Sequence, residues 1–297
     1  MRESTESSYQ ERILKVLRHI QDNLDREINV EELARLACFS SAHFHRFFKG
    51  MLGESLGEHV RRLRLERSAL MLLVSEQSVT RIALDAGYET PEAYSRSFRR
   101  MFGAPPSEYR RDSRKRLYPE SPSGVHYLPD GDRPGLNIRT RSLPMNVEIV
   151  TMPPRRVAYM RRVGPYFGVE KVWEALCGWA GAKGLFGPDT LFLGVCHDDP
   201  QITAPEKIRY DACLTVPDHV EAEGPVGIQE VFGGDWAVSR LVGPYEGLQD
   251  LYNRFVGGWL PQSGRELRES ASIEVYRNTP GDTPPEELIT DVFIALK

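Results

Sequence analysis

The chain has 297 residues, 40% of them apolar and 27% charged, with a formal net charge of −4. It is too long for one ordinary core, and two domains are predicted. Charge divides it: residues 1–118 hold 21 Lys and Arg against 17 Asp and Glu, whereas residues 119–297 hold 17 against 25. A basic half suits phosphates and an acidic half avoids them.

Cys38, Cys177, Cys196 and Cys213 are widely separated and form no Cys-x-x-Cys pair, so neither a zinc site nor a disulfide framework is indicated. Reduced, buried thiols are expected. Cys196-His197-Asp198-Asp199 contains ligand-type residues, but strand neighbours alternate faces, and neither a metal nor a cofactor is expected. The first twelve residues, MRESTESSYQER, hold no apolar stretch of a signal peptide. No run approaches the ~18 to 20 apolar residues that span a bilayer. A cytoplasmic chain without membrane contact is the expectation.

From Tyr9 to about Leu24, the positions Ile13, Leu14, Leu17, Ile20 and Leu24 predict a first helix. Asn29 offers a cap to a short second helix carrying Val30, Leu33, Ala34 and Ala37. Phe39-Ser40 makes a turn, and Ser40 or Ser41 caps a third helix that ends at Gly53. In it Phe44, Phe47, Phe48 and Met51 recur at i, i+3, i+4 and i+7, with Ala42, His45, Arg46 and Lys49 on the opposite side. One face serves a core and the other a partner, the pattern of a helix-turn-helix reader. A long helix from Ser55 to about Leu73 follows, with Arg61, Arg62, Arg64 and Arg67 expected in solvent. A second reader then begins at Ser78, turns at Gly87 and restarts at Thr90-Pro91, a cap followed by proline at the first helical position. Arg46 and Arg96, Phe48 and Phe98, Gly53 and Gly103, and Glu58 and Glu108 all pair at an offset of 50.

The stretches FSSAHFHRFFKGMLGESLGEHVRRLRL and IALDAGYETPEAYSRSFRRMFGAPPSEYRR resemble the AraC/XylS family of transcription regulators over residues 8–112. The resemblance implies a DNA-binding domain of two helix-turn-helix units joined by a long helix. It places Ser41, Ala42, His45, Arg46 and Lys49 of the first reader, and Thr90, Pro91, Glu92, Ala93, Arg96 and Arg100 of the second, against double-stranded DNA. Arg46 and Arg96 suit guanine, His45 a base edge, and Lys49 and Arg100 phosphates. The aromatic residues, Phe102 included, belong to the core.

Residues 113–145 read as a linker, rich in proline and glycine. Beyond it lies a second duplication. Val163-Gly164-Pro165-Tyr166 recurs as Val242-Gly243-Pro244-Tyr245 at offset 79, and residues 195–216 answer residues 275–296 at offset 80. Each copy reads strand, Gly-Pro turn, helix, strand, strand. One copy cannot bury its own sheet face, so the two must pack together. The fold class is therefore multidomain α and α+β: an all-α double helix-turn-helix domain, then a duplicated strand-helix-strand-strand domain, residues 146–297, with an antiparallel sheet flanked by two helices.

Gly194 in the first copy is matched by Glu274 in the second. Alternation along Ser272-Ile273-Glu274-Val275-Tyr276 puts Glu274 and Tyr276 on one face and Ile273 and Val275 on the other. That face is either a polar anchor over open space or merely wet. PEKIRYDACLTVP, WAVSRLVGPYEGL and IEVYRNTP are similar to the gyrase-inhibitor-like effector-binding domains behind several bacterial regulators. This resemblance implies that Glu274 is a buried anion accepting a lipophilic, often cationic small molecule. Tyr159, Tyr166, Trp173, Trp236, Tyr245 and Tyr276 are candidates for its aromatic walls.

Together these readings predict a sequence-specific transcription regulator whose second domain binds a small effector, with RNA polymerase as a further candidate partner. Two other readings remain open: a small-molecule hydrolase using Glu274, and a regulator whose second domain docks a protein. The lack of a second obvious carboxylate or nucleophile motif argues against an enzyme.

Overall fold

The structure, a computed structural model, describes residues 2–111, 118–129, 145–201 and 203–297. Two compact units divide near residue 142. Most of the predicted linker, residues 113–117 and 130–144, lies outside the described residues, as does the side chain of Ala42.

The first unit contains α1 (Arg2–Asp22), α2 (Val30–Leu36), α3 (Ser41–Leu52), α4 (Leu56–Val74), α5 (Val79–Asp85), α6 (Pro91–Phe102) and α7 (Pro106–Tyr109). α1 starts seven residues before Tyr9, because the apolar stripe marks where packing begins rather than where helical bonding begins. Asn29, Ser40, Ser55, Ser78 and Thr90 each accept a backbone N–H of the following turn. Such a cap contributes about 1 kcal/mol. Ser40, not Ser41, caps α3, and Ser55 forms a capping box with Glu58. The duplication is carried through: α3 and α6 lie at offset 50 and end on left-handed Gly53 and Gly103. The turns between α2 and α3 and between α5 and α6 use left-handed Cys38 and Gly87. Cys38 therefore adopts a conformation that costs a non-glycine residue about 1 kcal/mol or more. It is exposed, contrary to expectation, as Cys177 is in part; Cys196 and Cys213 are buried.

Phe44, Phe47, Phe48 and Met51 are buried in the first half, and Tyr94, Phe98 and Tyr109 in the second with Leu65, Ala69, Leu72, Ile82 and Ala83. Phe102 is only half-buried against that second cluster. Arginines of α4 bind both halves to it: Arg64 donates to the carbonyls of Leu24 and Arg26, and Arg67 to that of Asp85.

Arg62 corrects the sequence reading. It is buried, donating to Glu54, Glu66 and the Val125 carbonyl. Helical spacing groups it with its arginine neighbours, but residues 118–128 cover that part of α4. Ser123 bonds Glu54, His126 and Tyr127 bond Glu66, and Gln21 of α1 bonds the His126 carbonyl. The start of the linker is thus packed onto α1 and α4.

The second unit contains β1 (Glu148–Val163), α8 (Glu170–Ala182), β2 (Phe192–Cys196), β3 (Arg209–Thr215), β4 (Gly227–Val242), α9 (Leu248–Arg254), α10 (Leu260–Ser263), β5 (Ser272–Tyr276) and β6 (Ile289–Ala295). A π-helical turn, Phe255–Trp259, joins α9 to α10. The strands pair antiparallel in the order β1-β3-β2-β5-β6-β4 and close into a barrel, so the predicted sheet has no free edge. β1 and β4 are equivalents at offset 79, β2 and β5 at offset 80. Each pairs antiparallel with its own equivalent, as a pseudo-twofold requires.

The barrel interior holds Val157, Leu193, Val195, Cys213, Ile273, Val275 and Phe293. Two related ion clusters lie on the same face. Arg161 and His197 bond Asp211; Arg240 and Arg277 bond Asp291. Burial would raise the Asp211 carboxyl, but the hydrogen bonds from Arg161 and His197 override it and hold it well below the usual range. His197 is thus committed to Asp211 and Asp198 to Arg209, not to a shared ion. No helix among the described residues is long and apolar enough to cross a membrane.

Candidate functional site

On α6, Glu92, Arg96, Arg99 and Arg100 are exposed, with Pro91 and Ala93 half-exposed beside them. Thr90 is exposed too, its hydroxyl oxygen accepting from the Ala93 N–H. This face is a basic helical surface of the kind a major groove receives. Arg99 was not among the predicted contacts, though its spacing of three from Arg96 was legible. On α3, Ser41, His45 and Lys49 are half-buried, but Arg46 is only 4% exposed. That corrects the expectation of an open arginine. A helical wheel counts faces around one helix and cannot register what other segments cover.

His43 is buried next to Arg46. Burial, and then the Arg46 charge, pull its pKa down from 6.5 to about 4. The neutral ring accepts from the Ser40 hydroxyl, whose oxygen in turn accepts the His43 N–H. The start of α3 is therefore held by an uncharged imidazole.

In the second unit, Ile273 and Val275 face the barrel interior, so Glu274 and Tyr276 point outward, as the alternation predicts. Glu274 is 6% exposed. Its direct cross-strand partner is Gly194, its own equivalent in the repeat. Tyr252 of α9 donates to Oε1 at 3.0 Å and Tyr276 to Oε2 at 2.8 Å. Tyr276 also lies 3.0 Å from the Tyr210 hydroxyl, and Trp173 Nε1 donates to Tyr210 at 3.2 Å. With the Tyr276 proton committed to the carboxylate, Tyr210 must donate to Tyr276. The chain of donors therefore runs in one direction, from Trp173 through Tyr210 and Tyr276 to Glu274.

Burial raises the Tyr210 and Tyr276 phenols well above their usual range, and the Glu274 charge adds to both. They remain neutral donors at any physiological pH. The face over Gly194 is not open space. A Cβ there would lie 2.5 Å from Tyr210 Cε2 and 2.7 Å from the Tyr276 hydroxyl, so the glycine makes room for the two rings.

Four of the predicted wall residues gather here. Tyr276 meets Trp173 and Tyr245 edge-to-face, each with centroids 5.8 Å apart, and Tyr166 meets Tyr210 at 5.8 Å. Phe192 and the half-exposed Phe186 extend the aromatic run outward from Trp173. The other two are elsewhere. Trp236 is in the barrel interior against Phe232 and Phe293, and Tyr159 packs on the same interior cluster. Their strand positions set them on the opposite face from Glu274. Tyr210 and Tyr252 were missed; the repeat held a signal for the second, since offset 79 carries Trp173 onto Tyr252.

Comparison with known proteins agrees with both halves. The GyrI-like small molecule binding domain matches residues 145–297, and a helix-turn-helix domain matches residues 33–112. The regulatory protein SoxS of Salmonella typhimurium is 33% identical over 103 residues, 35% of this chain and 96% of SoxS. The transcriptional regulator Rob of the same organism is 24% identical over 272 residues, 86% of this chain and 87% of Rob. YbfP of Bacillus subtilis, an uncharacterized HTH-type transcriptional regulator, is 33% identical over 102 residues, 34% of this chain; the chain spans 35% of its length. The chain belongs to the AraC/XylS family of DNA-binding transcription regulators and carries a GyrI-like small-molecule-binding domain behind its helix-turn-helix units.

Proposed function

We propose that residues 8–112 read duplex DNA with α3 and α6 in successive major grooves, and that residues 146–297 receive a lipophilic cation at Glu274. In this reading residues 113–145 link the two. The observation that carries the effector assignment is a glutamate 6% exposed, on the outer face of a barrel, bonded by Tyr252 and Tyr276, with Tyr245 and Trp173 packed on the Tyr276 ring. Two phenols satisfy one acceptor site on each oxygen, so the bare carboxylate is tolerated. Its negative charge still lies among aromatic side chains, which favours a cation bearing apolar surface. The contacts found for Glu274 are phenols rather than a second carboxylate, and burial keeps the Tyr276 phenol protonated, which supports binding over hydrolysis. The regulator acts in the cytoplasm, and RNA polymerase is its partner on DNA.

DNA reading is tested by selecting a preferred site from a random duplex pool with the full chain, then following affinity against salt by fluorescence anisotropy. The expected site is asymmetric and about two turns long, because recognition helices in successive major grooves are roughly 34 Å apart. Affinity should fall steeply with salt. A chain that enriches no sequence contradicts the reading.

A further inference from the structure

Between the two readers a cleft is lined at once by His45 of α3, by Gly57, Val60, Arg61 and Arg64 of α4, and by Tyr88 at the entry to α6. His45 belongs to the predicted reading face of the first helix, and Tyr88 lies two residues before the cap of the second. The cleft therefore opens beside both reading surfaces. Two helices set in successive major grooves leave one stretch of duplex between them, and there the minor groove and its bordering phosphates turn toward the protein.

We propose that this face of α4 is a saddle for the sugar-phosphate backbone, with Arg61 holding a phosphate beside the minor groove. The inference rests on the DNA-reading function proposed above. Arg61 is exposed, whereas its neighbours Arg64 and Arg67 are tied to carbonyls of the segment between α1 and α2 and of α5, so Arg61 is the α4 arginine of this cleft with a solvent-facing side chain to offer. Among the described residues, Arg61 and Arg64 outweigh the one carboxylate on the cleft wall, Glu27, and leave it positive. Gly57 supplies a second, independent observation. A Cβ there would meet nothing within 4 Å, so a larger residue would fit without strain, and alanine would favour the helix more. A missing side chain on the wall of a cleft lets a backbone approach closely.

The test uses the full chain with its selected duplex and an unrelated duplex of equal length, over a salt series. Arg61→Ala should weaken both about tenfold and make the slope of log affinity on log salt shallower by roughly 0.9, the value for one phosphate contact. Gly57→Glu, which adds both bulk and negative charge, should weaken both at least tenfold; the open space at Gly57 keeps the variant folded, which circular dichroism checks. If the wild type selects its site while Arg61→Ala and Gly57→Glu bind as it does, the saddle is overturned and the DNA-reading function stands. A loss confined to the selected duplex would put Arg61 on a base edge and also overturn it. A wild type that binds no duplex overturns both.

Discussion

Gly194→Ala tests the ligand site through its geometry. The added methyl would lie 2.5 Å from Tyr210 Cε2, 2.6 Å from its hydroxyl and 2.7 Å from the Tyr276 hydroxyl. Ordinary contact needs about 3.5 Å, so both rings must withdraw by roughly 1 Å. That shift breaks the 3.0 Å bond between the tyrosines and strains the 2.8 Å bond to Glu274. Overpacking costs about 1 to 3 kcal/mol, and each neutral hydrogen bond about 1 kcal/mol. A total near 2 to 4 kcal/mol follows. For a unit of this size each kcal/mol lowers the melting temperature by about 2 to 4 °C, so a fall of roughly 4 to 16 °C is expected. Scanning calorimetry of the full chain, with near-ultraviolet circular dichroism to follow the tryptophans and tyrosines, reads the transition of the second unit. A melting temperature within a degree of wild type would mean that the space over Gly194 is open and that the donor chain to Glu274 is not packed as described.

Other outcomes follow from the same physics. Asp211→Ala should destabilise the barrel by about 2 to 3 kcal/mol, less than the loss of a fully buried partner because Arg161 reaches solvent, and Asp291→Ala should act alike as its repeat equivalent; urea unfolding measures both. His43 is held near 4 in the fold against 6.5 unfolded, so the unfolded chain binds the extra proton. The first unit should therefore lose stability as pH falls from 6.5 toward 4, by about 3 kcal/mol at the lower end, and His43→Gln should flatten that slope in a pH series of denaturant curves. Arg96→Ala should cost about 1 to 3 kcal/mol on the selected duplex and much less on unrelated DNA; equal losses in anisotropy titrations would reduce Arg96 to a phosphate contact. Arg46→Ala, read the same way, shows whether that buried arginine is uncovered on DNA, which requires a loss confined to the selected duplex.

What was legible in the chain was local or repeated. Caps at Asn29, Ser40, Ser55, Ser78 and Thr90 are set by neighbours within one turn, so side-chain chemistry alone marks them. The pairing of Gly194 with Glu274 was implicit in the duplication, because strands related by a twofold and adjacent in a sheet meet at equivalent positions. What was not legible depends on distant segments. Arg46 and Arg62 belong to basic helical faces by spacing, yet both are buried, Arg62 by residues about 60 positions away. Trp236 and Tyr159 were aromatic residues near the right motifs but on the wrong face of their strands, and alternation counted from Glu274 cannot be carried across to another strand without the register. Closure of the sheet was hidden for the same reason: the β1–β4 pairing depends on how the two copies meet.

The most direct measurement is a calorimetric titration of tetraphenylphosphonium, a lipophilic cation with no hydrogen-bond donor, into the full chain and into Glu274→Gln. Saturable one-to-one binding is expected in the wild type. The variant keeps the side-chain shape and removes the charge, so the cation should lose a Coulomb attraction of about 1 to 3 kcal/mol while a neutral analogue of similar size is barely affected. Equal affinity of the cation for both proteins, or none for the wild type, would contradict Glu274 as the charged partner of the effector.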